Sequence, residues 1–269
     1  MRYDPVKKTV GRLFSGSPCM RRLFYFLLNV LLLRAWHIRR ALRQASPGIR
    51  AGATILDAGC GFGQYAWQMH KMNRNWNIEG IDIDGERIGE CEIFFTKAGL
   101  QDSVSFRVAD LTTLNATGCY DVILSVDVME HIEDDAKVFS NFYRALKKGG
   151  TVIISTPSDM GGSDAHGDSG SSFIDEHVRD GYSREDIREK LSAAGFSHVK
   201  AAYTYGACGH ISWLLSMKYP IAMLNASRLF FIILPLWYLV FLPVSLVLNH
   251  IDVNSTHNSG TGLLVTAIK

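Results

Sequence analysis

Between residues 55 and 63 the chain reads ILDAGCGFG: an apolar run stops at Asp57, and Gly59, Gly61 and Gly63 follow with single residues between them. A strand that ends in such a turn before a helix can hold a polar ligand against the helix N-terminus. Side chains at the three glycines are expected to block that approach. The spacing separates candidate ligands. A pyrophosphate asks for G-x-G-x-x-G, whereas here it is G-x-G-x-G, and Asp57 would repel a phosphate. A carboxylate beside the loop suits a ligand that carries an ammonium group.

S-adenosylmethionine carries one on its amino-acid end, and the acids further along bear on that choice. GIDID places Asp82 19 residues after Gly63. A carboxylate there can accept both hydroxyls of a ribose, in a dinucleotide as well as in S-adenosylmethionine. FRVADL ends in Asp110 and Leu111, where an adenine amino group can be accepted, and YDVILSVDVMEHI carries Asp127, Glu130 and His131. Each acid follows an apolar run, and ligands of an open sheet bind along the carboxyl ends of its strands.

The elements that must position these residues follow from periodicity. Strands are expected at Thr54–Asp57, Asn77–Ile81, Val104–Val108, Asp121–Val126, Thr151–Ser155 and His198–Tyr203. A helix is expected over Ile132–Leu146, with Val138, Phe139, Phe142 and Leu146 on one stripe and KKGG closing it. Ser183 and Asp186 have capping-box spacing before Ile187, Leu191 and Ala194. Strands alternating with helices argue for a parallel sheet covered on both faces.

As an ordered set, LDAGCGFG, GIDID, VADL, YDVILSVDVMEHI, ALKKGGTVIISTP and GYSREDIREKLSAAGF resemble the class I S-adenosylmethionine-dependent methyltransferases, in particular the small-molecule group similar to the ubiquinone-pathway O-methyltransferases. The resemblance covers about residues 50–205 and the last ten. It implies an α/β, Rossmann-like seven-stranded sheet whose final strand, GLLVTAIK, is antiparallel. It implies that Asp57, Gly59 and Gly61, with Cys60 and Gly63 in the same loop, hold the methionine end. Asp82 and Ile83 would take the ribose, Asp110 and Leu111 the adenine, and Asp127 the mouth of the site beside the methionine portion. Methyl transfer needs chiefly alignment of acceptor and methyl carbon. Where a base is used, His131 is the first candidate and His177, in DEHVRDGYS, the second. Either histidine could instead cap a helix or fix a loop. The 159–172 stretch is a lid or a plain connector. Asp164, His166 and Asp168 within it fix no geometry, and no metal is expected.

Charge and hydropathy add two features outside the motifs. Residues 1–50 carry eleven Lys/Arg against Asp4 alone, so ten net positive charges there offset about eight negative ones elsewhere in a chain of formal charge +2. A basic arm on an acidic body suits an anionic surface. Its apolar run, residues 23–33 (LFYFLLNVLLL), is too short to span a ~30 Å bilayer core at ~1.5 Å per residue. The arginines on its far flank fit a secretory signal poorly. An amphipathic helix lying in the membrane interface, arginines on anionic headgroups, accounts for both, and so does a cover over the catalytic domain.

The second feature is residues 229–248, twenty without a charge. A single crossing would put the last strand on the wrong side of a membrane. The expectation is a shallow helical hairpin bent by Pro220, Pro235 and Pro243, in contact with a membrane or capping a greasy acceptor; a buried dimer interface is the competing view.

The organisation read from the sequence is thus a basic N-terminal region (1–50), a cofactor-binding core (51–210), an apolar helical insert (211–250) and the final strand (251–269). Five scattered cysteines form no metal or disulfide pattern and suit a reducing cytosol. The expected protein sits peripherally or monotopically on the cytoplasmic face of a membrane and methylates a lipid, isoprenoid or quinone-like acceptor. Alternatives are other chemistry on the same cofactor and a non-catalytic membrane adaptor. Nucleic acid is not expected as a partner, because the fourth strand lacks the Asn/Asp-Pro-Pro-aromatic loop and the basic arm is interleaved with leucines.

Overall fold

Alternation along the apolar runs sets the architecture. In the computed structural model, which describes residues 17–161 and 178–269, Ile55, Val122, Leu124 and Ile153 feed one buried cluster, while Leu56, Ile123, Val152 and Ile154 feed another. Side chains of successive strand residues point to opposite faces, so these clusters are the two sides of one sheet.

The strands are β1 (Thr54–Ala58), β2 (Asn77–Asp82), β3 (Val104–Val108), β4 (Tyr120–Val126), β5 (Leu146–Pro157), β6 (Ser197–Thr204) and β7 (Gly262–Ile268). Their order is β3-β2-β1-β4-β5-β7-β6, with β7 antiparallel to both β5 and β6 and the other pairs parallel. This is the fold class expected from the sequence. The direction of winding reverses between β1 and β4, which opens a crevice at their carboxyl ends.

Helices α1 (Pro18–Leu31), α2 (Leu33–Ala45), α3 (Gln64–Met72) and α4 (Gly85–Lys97) cover one face, through Tyr25, Ile38, Leu42, Met69 and Phe94. Helices α5 (Asp135–Ala145) and α6 (Arg184–Ala193) cover the other, through Phe139, Phe142, Ile187 and Leu191. The Ser183 side chain caps α6 by accepting from the Asp186 amide at 3.0 Å.

Three elements differ from the sequence reading. The helix expected over Ile132–Leu146 is shorter, because the Asp134 carboxylate accepts from the Lys137 amide at 3.2 Å and fixes the start of α5. KKGG does not close that helix. Leu146 is already extended and pairs with Tyr120, so the four residues belong to β5, where Gly149 (φ +76°) accommodates the register shift.

The single N-terminal amphipathic helix is two helices broken at Leu32, whose extended backbone (φ −85°, ψ 109°) turns the chain. Arg21 points inward, 2% exposed, and Arg34 is partly buried, so neither is free to face headgroups.

The insert is a helical hairpin, but its prolines do not all bend it. Its first arm is α7 (Ala207–Trp213), a wide π-type turn (Leu214–Lys218) and α8 (Tyr219–Ala226); its second is α9 (Leu234–Asn254). Pro235 sits in the first turn of α9, where a missing N–H is harmless; Pro220 follows the wide turn inside a run that stays helical from Ala207 to Ala226, and Pro243 lies inside α9 without ending it. The wide turn leaves carbonyls open on the arm, and Leu215 and Ser216 accept from Trp237 Nε1 and Tyr238 Oη, both at 2.9 Å. Nearer the base, Ser212 Oγ donates to Asn249 Oδ1 at 2.6 Å. Because Thr204 pairs with Gly262, the insert leaves and rejoins the sheet at the edge where β1 and β4 end.

Candidate functional site

The glycine turn is built by bonds between strand ends. Ile81 O, near the end of β2, accepts from the amides of Gly59 (2.8 Å) and Cys60 (2.9 Å). Asp82 Oδ2 then accepts from the Gly61 amide at 2.8 Å, and Asp82 Oδ1 from the Asp84 amide at 2.9 Å. Asp82 O accepts from Ala109 N at 3.0 Å, which ties the end of β3 to the same cluster.

The three glycines have different reasons. All have positive φ, +78°, +51° and +73° at Gly59, Gly61 and Gly63. A Cβ at Gly59 would lie 2.3 Å from Val128 Cγ2, and one at Gly63 3.1 Å from Cys91 Sγ. The sequence reading had all three spare room for a ligand; two of them spare room for the protein's own side chains. At Gly61 the neighbour is Arg87 Nη1 at 3.7 Å, so that position opens outward.

The acids occupy successive strand ends. Asp57 is 1% exposed and accepts from the Ala66 amide of α3 at 3.0 Å. Burial pushes its carboxyl up to about 7, against the pull of that amide and with a push from Asp82. Asp110 Oδ1 accepts from both the amide and the hydroxyl of Thr112 at 2.8 Å, which starts a short turn and seats Leu111 in the core. Cys60 is buried, and Ile83 is exposed beyond the tip of β2.

Asp127 follows β4 with φ +50° and pairs with the Arg34 guanidinium. Tyr205, at the end of β6, has φ +59°, and its hydroxyl accepts from the Arg34 amide at 3.0 Å. Non-glycine residues in this region carry strain that the surroundings must hold in place, and here two of them meet one arginine. Arg34 and Tyr205 were not read from the sequence. No motif marks the arginine, because it reaches the site through the break after α1. Tyr205 was visible only as the residue closing an apolar run.

His131 is exposed in the short turn Met129–His131 beyond β4, on the same edge, and Glu130 before it is buried with Thr156 Oγ1 donating to it at 3.1 Å. His177, Asp164, His166 and Asp168 lie outside the described residues. The structure therefore brings together Asp57, the glycine turn, Asp82 and, through backbone ties, Asp110; it adds Arg34 opposite Asp127.

A seven-stranded sheet of this order with an acid-lined turn at its switch point is the fold of a methyltransferase. A family model described as a methyltransferase domain matches residues 49–197. The chain belongs to that family, and its core is an S-adenosylmethionine-dependent methyltransferase domain. Phosphoethanolamine N-methyltransferase 1 of Triticum aestivum is 34% identical over 158 residues, 57% of this chain and 30% of that protein. Ubiquinone biosynthesis O-methyltransferase of Psychrobacter cryohalolentis is 30% identical over 108 residues, 39% of this chain and 41% of that protein. The chain thus matches less than half the length of either relative. Among solved structures, Haemonchus contortus phosphoethanolamine N-methyltransferase 2 in complex with S-adenosyl-L-methionine superposes with a TM-score of 0.60 at 20% identity, over 87% of this chain and 52% of that one, a likeness of fold.

Proposed function

We propose that the protein transfers the methyl group of S-adenosylmethionine to an amphiphilic acceptor that resides in a membrane, working from the cytoplasmic face as a peripheral or monotopic enzyme. The observation that carries this reading is where the apolar hairpin is rooted. It rises from the ends of β6 and β7, on the same sheet edge at which the strands bearing Asp57, Asp82 and Asp127 finish, and it terminates in exposed Leu229, Phe231, Ile232 (77% exposed) and Leu239. Large exposed apolar patches mark contact surfaces, and one that adjoins a reaction site favours a greasy acceptor.

The donor set fits the cofactor. Asp57 and Asp127 match its ammonium group, and Arg34 its carboxylate. Asp82, which keeps lone pairs free after accepting two amides, matches the ribose hydroxyls. Bound there, the cofactor supplies a sulfonium methyl. His131, exposed on the same edge, stands ready to take the proton of a hydroxyl or ammonium acceptor.

Asp57 gives this reading a pH signature. Its raised value means that the unliganded fold disfavours the charged form, so this group lowers stability as pH rises from its ordinary 3.8 through about 7. An ammonium ligand needs the charged form. Affinity for S-adenosylhomocysteine, which keeps the amino-acid end, should therefore tighten from about pH 6 to about pH 8, with proton release seen as buffer-dependent heats. Asp57→Asn should flatten that profile and raise unliganded stability at pH 8 by on the order of 1–3 kcal/mol. A pH-independent affinity in the parent protein removes Asp57 from the site.

The hairpin is tested separately. Ile232→Asp with Leu239→Asp should leave cofactor affinity unchanged, abolish flotation with phosphatidylcholine–phosphatidylglycerol vesicles, and reduce methylation of lipid-dissolved acceptors at least ~10-fold, since each substitution sets a charge against apolar surface. Unchanged flotation and turnover would end the membrane reading.

A further inference from the structure

Helix α1 has two faces with unlike chemistry. The inner face grips the glycine turn. Tyr25, 0% exposed, donates its hydroxyl to Phe62 O, and Arg21 Nη2 donates to the same carbonyl at 3.0 Å. Arg21 Nε reaches Tyr25 Oη at 3.0 Å, and Arg21 Nη1 pairs with Glu90 of α4 at 3.1 Å. The Phe24 ring stands edge-on to the Phe62 ring, centroids 6.2 Å apart. Phe62 lies between Gly61 and Gly63, so α1 holds the part of the turn at which Gly61 opens outward.

The outer face shows Met20, Leu23, Phe26 and Leu27 to solvent, Phe26 at 62%. No acidic residue occurs between residues 17 and 50. Arg22 beside that face is exposed, and Arg39, Arg40 and Arg43 on α2 have no ion-pair partner among the described residues. An apolar face bordered by exposed Arg22, on a pair of helices that carries no acid, is complementary to an anionic bilayer surface rather than to a mixed-charge protein surface.

We infer that α1 couples the membrane to the cofactor: docking of its outer face on an anionic lipid surface orders the helix, and through Arg21 and Tyr25 the helix sets the glycine turn for cofactor binding. This rests on the membrane reading above and adds regulation to it. The physical basis is linkage. A surface that binds only the ordered helix stabilises every contact that helix makes, so it must raise affinity at the turn, and the cofactor must in return raise affinity for the surface. The enzyme then binds its cofactor tightly only where its acceptor lies.

The test measures S-adenosylhomocysteine affinity of the full chain with and without vesicles of phosphatidylcholine and phosphatidylglycerol in equal parts. Vesicles should tighten it about 10-fold, a typical coupling. Leu23→Asp with Phe26→Asp should bind S-adenosylhomocysteine as the parent does without vesicles and gain nothing from them. Tyr25→Phe keeps the buried ring and should still float with vesicles, yet lose most of the gain. Parent protein that floats with unchanged affinity overturns the coupling alone. A Tyr25→Phe variant with the full gain overturns the proposed route. Self-association through this face instead overturns this inference alone, and absence of flotation overturns both it and the membrane reading. No S-adenosylhomocysteine binding under any condition overturns the methyltransferase assignment itself.

Discussion

Gly61→Leu is expected to lower S-adenosylmethionine affinity at least ~100-fold, about 2.7 kcal/mol, while the protein still melts cooperatively. The expectation comes from what surrounds each glycine. A side chain at Gly59 collides with Val128, and one at Gly63 crowds Cys91 and Phe95, so substitution there damages the fold first. At Gly61 the space is open save for Arg87 at 3.7 Å, the flexible end of a long side chain. The backbone strain at φ +51° should cost about 1–2 kcal/mol of stability. A new Leu side chain therefore fits the empty protein and fills the volume that a ligand on the turn needs. Calorimetric titration beside a thermal melt separates the two effects. Equal affinity for parent and variant would place the cofactor elsewhere.

Asp252→Ala should have the largest effect on stability, about 3–5 kcal/mol, because it removes a fully buried carboxylate and leaves His37 Nε2 and the Gly209 amide without the bonds they make to it. Asp252 is 0% exposed. Its Oδ1 meets His37 Nε2 at 2.9 Å, its Oδ2 accepts from the Gly209 amide at 2.9 Å, and His257 Nε2 lies 3.4 Å from Oδ2. The carboxylate thus joins α2, α7, the foot of α9 and the segment leading to β7. Burial alone would raise its pKa, but His37, His257 and the Gly209 amide outweigh burial and hold it below the ordinary 3.8. A depressed folded-state value contributes stability above the unfolded value and loses it as pH falls through the folded one. Asp252→Asn should accordingly begin acid unfolding at higher pH than the parent. Denaturant titrations at neutral pH and near pH 4 check both statements. A loss below 1 kcal/mol would mean that the hairpin is held by its apolar contacts alone.

The sheet was legible in the sequence because its signals are local. Alternating apolar residues and an acid at each strand end specify strands and the edge where they finish, and the antiparallel β7 came with the family resemblance. The boundaries that moved did so for local reasons that hydrophobic periodicity does not register, namely the Asp134 cap and an extended Leu146 directly after α5. The site divides in the same way. Asp57, Asp82 and Asp110 belong to contiguous motifs. Arg34 and Tyr205 come together only because a break at Leu32 and a left-handed residue after β6 bring segments 171 positions apart into contact. The inward turn of Arg21 was hidden for a related reason: a basic residue beside leucines reads as surface until its partners, Glu90 and Phe62 O, are known.

The hairpin shows what composition alone withholds. Residues 234–254 form the one helix among the described residues that is long and apolar enough to cross a membrane by length and composition. Sequence counting rejected a single crossing on the assumption that the last strand completes the sheet. The pairing of Thr204 with Gly262 supplies that constraint directly. Ser245, Asn249 and Asp252 are buried against the protein along the foot of the same helix, so its two halves face different surroundings.

The most direct test of methyl transfer to a membrane-resident acceptor is an incubation of the purified protein with methyl-labelled S-adenosylmethionine and total membrane lipids, followed by phase separation and mass analysis. The result expected is label in the organic phase, in a lipid heavier by one methylene than its unlabelled precursor, and none with Gly61→Leu. Label confined to a water-soluble product, or equal label with the variant, would contradict the account.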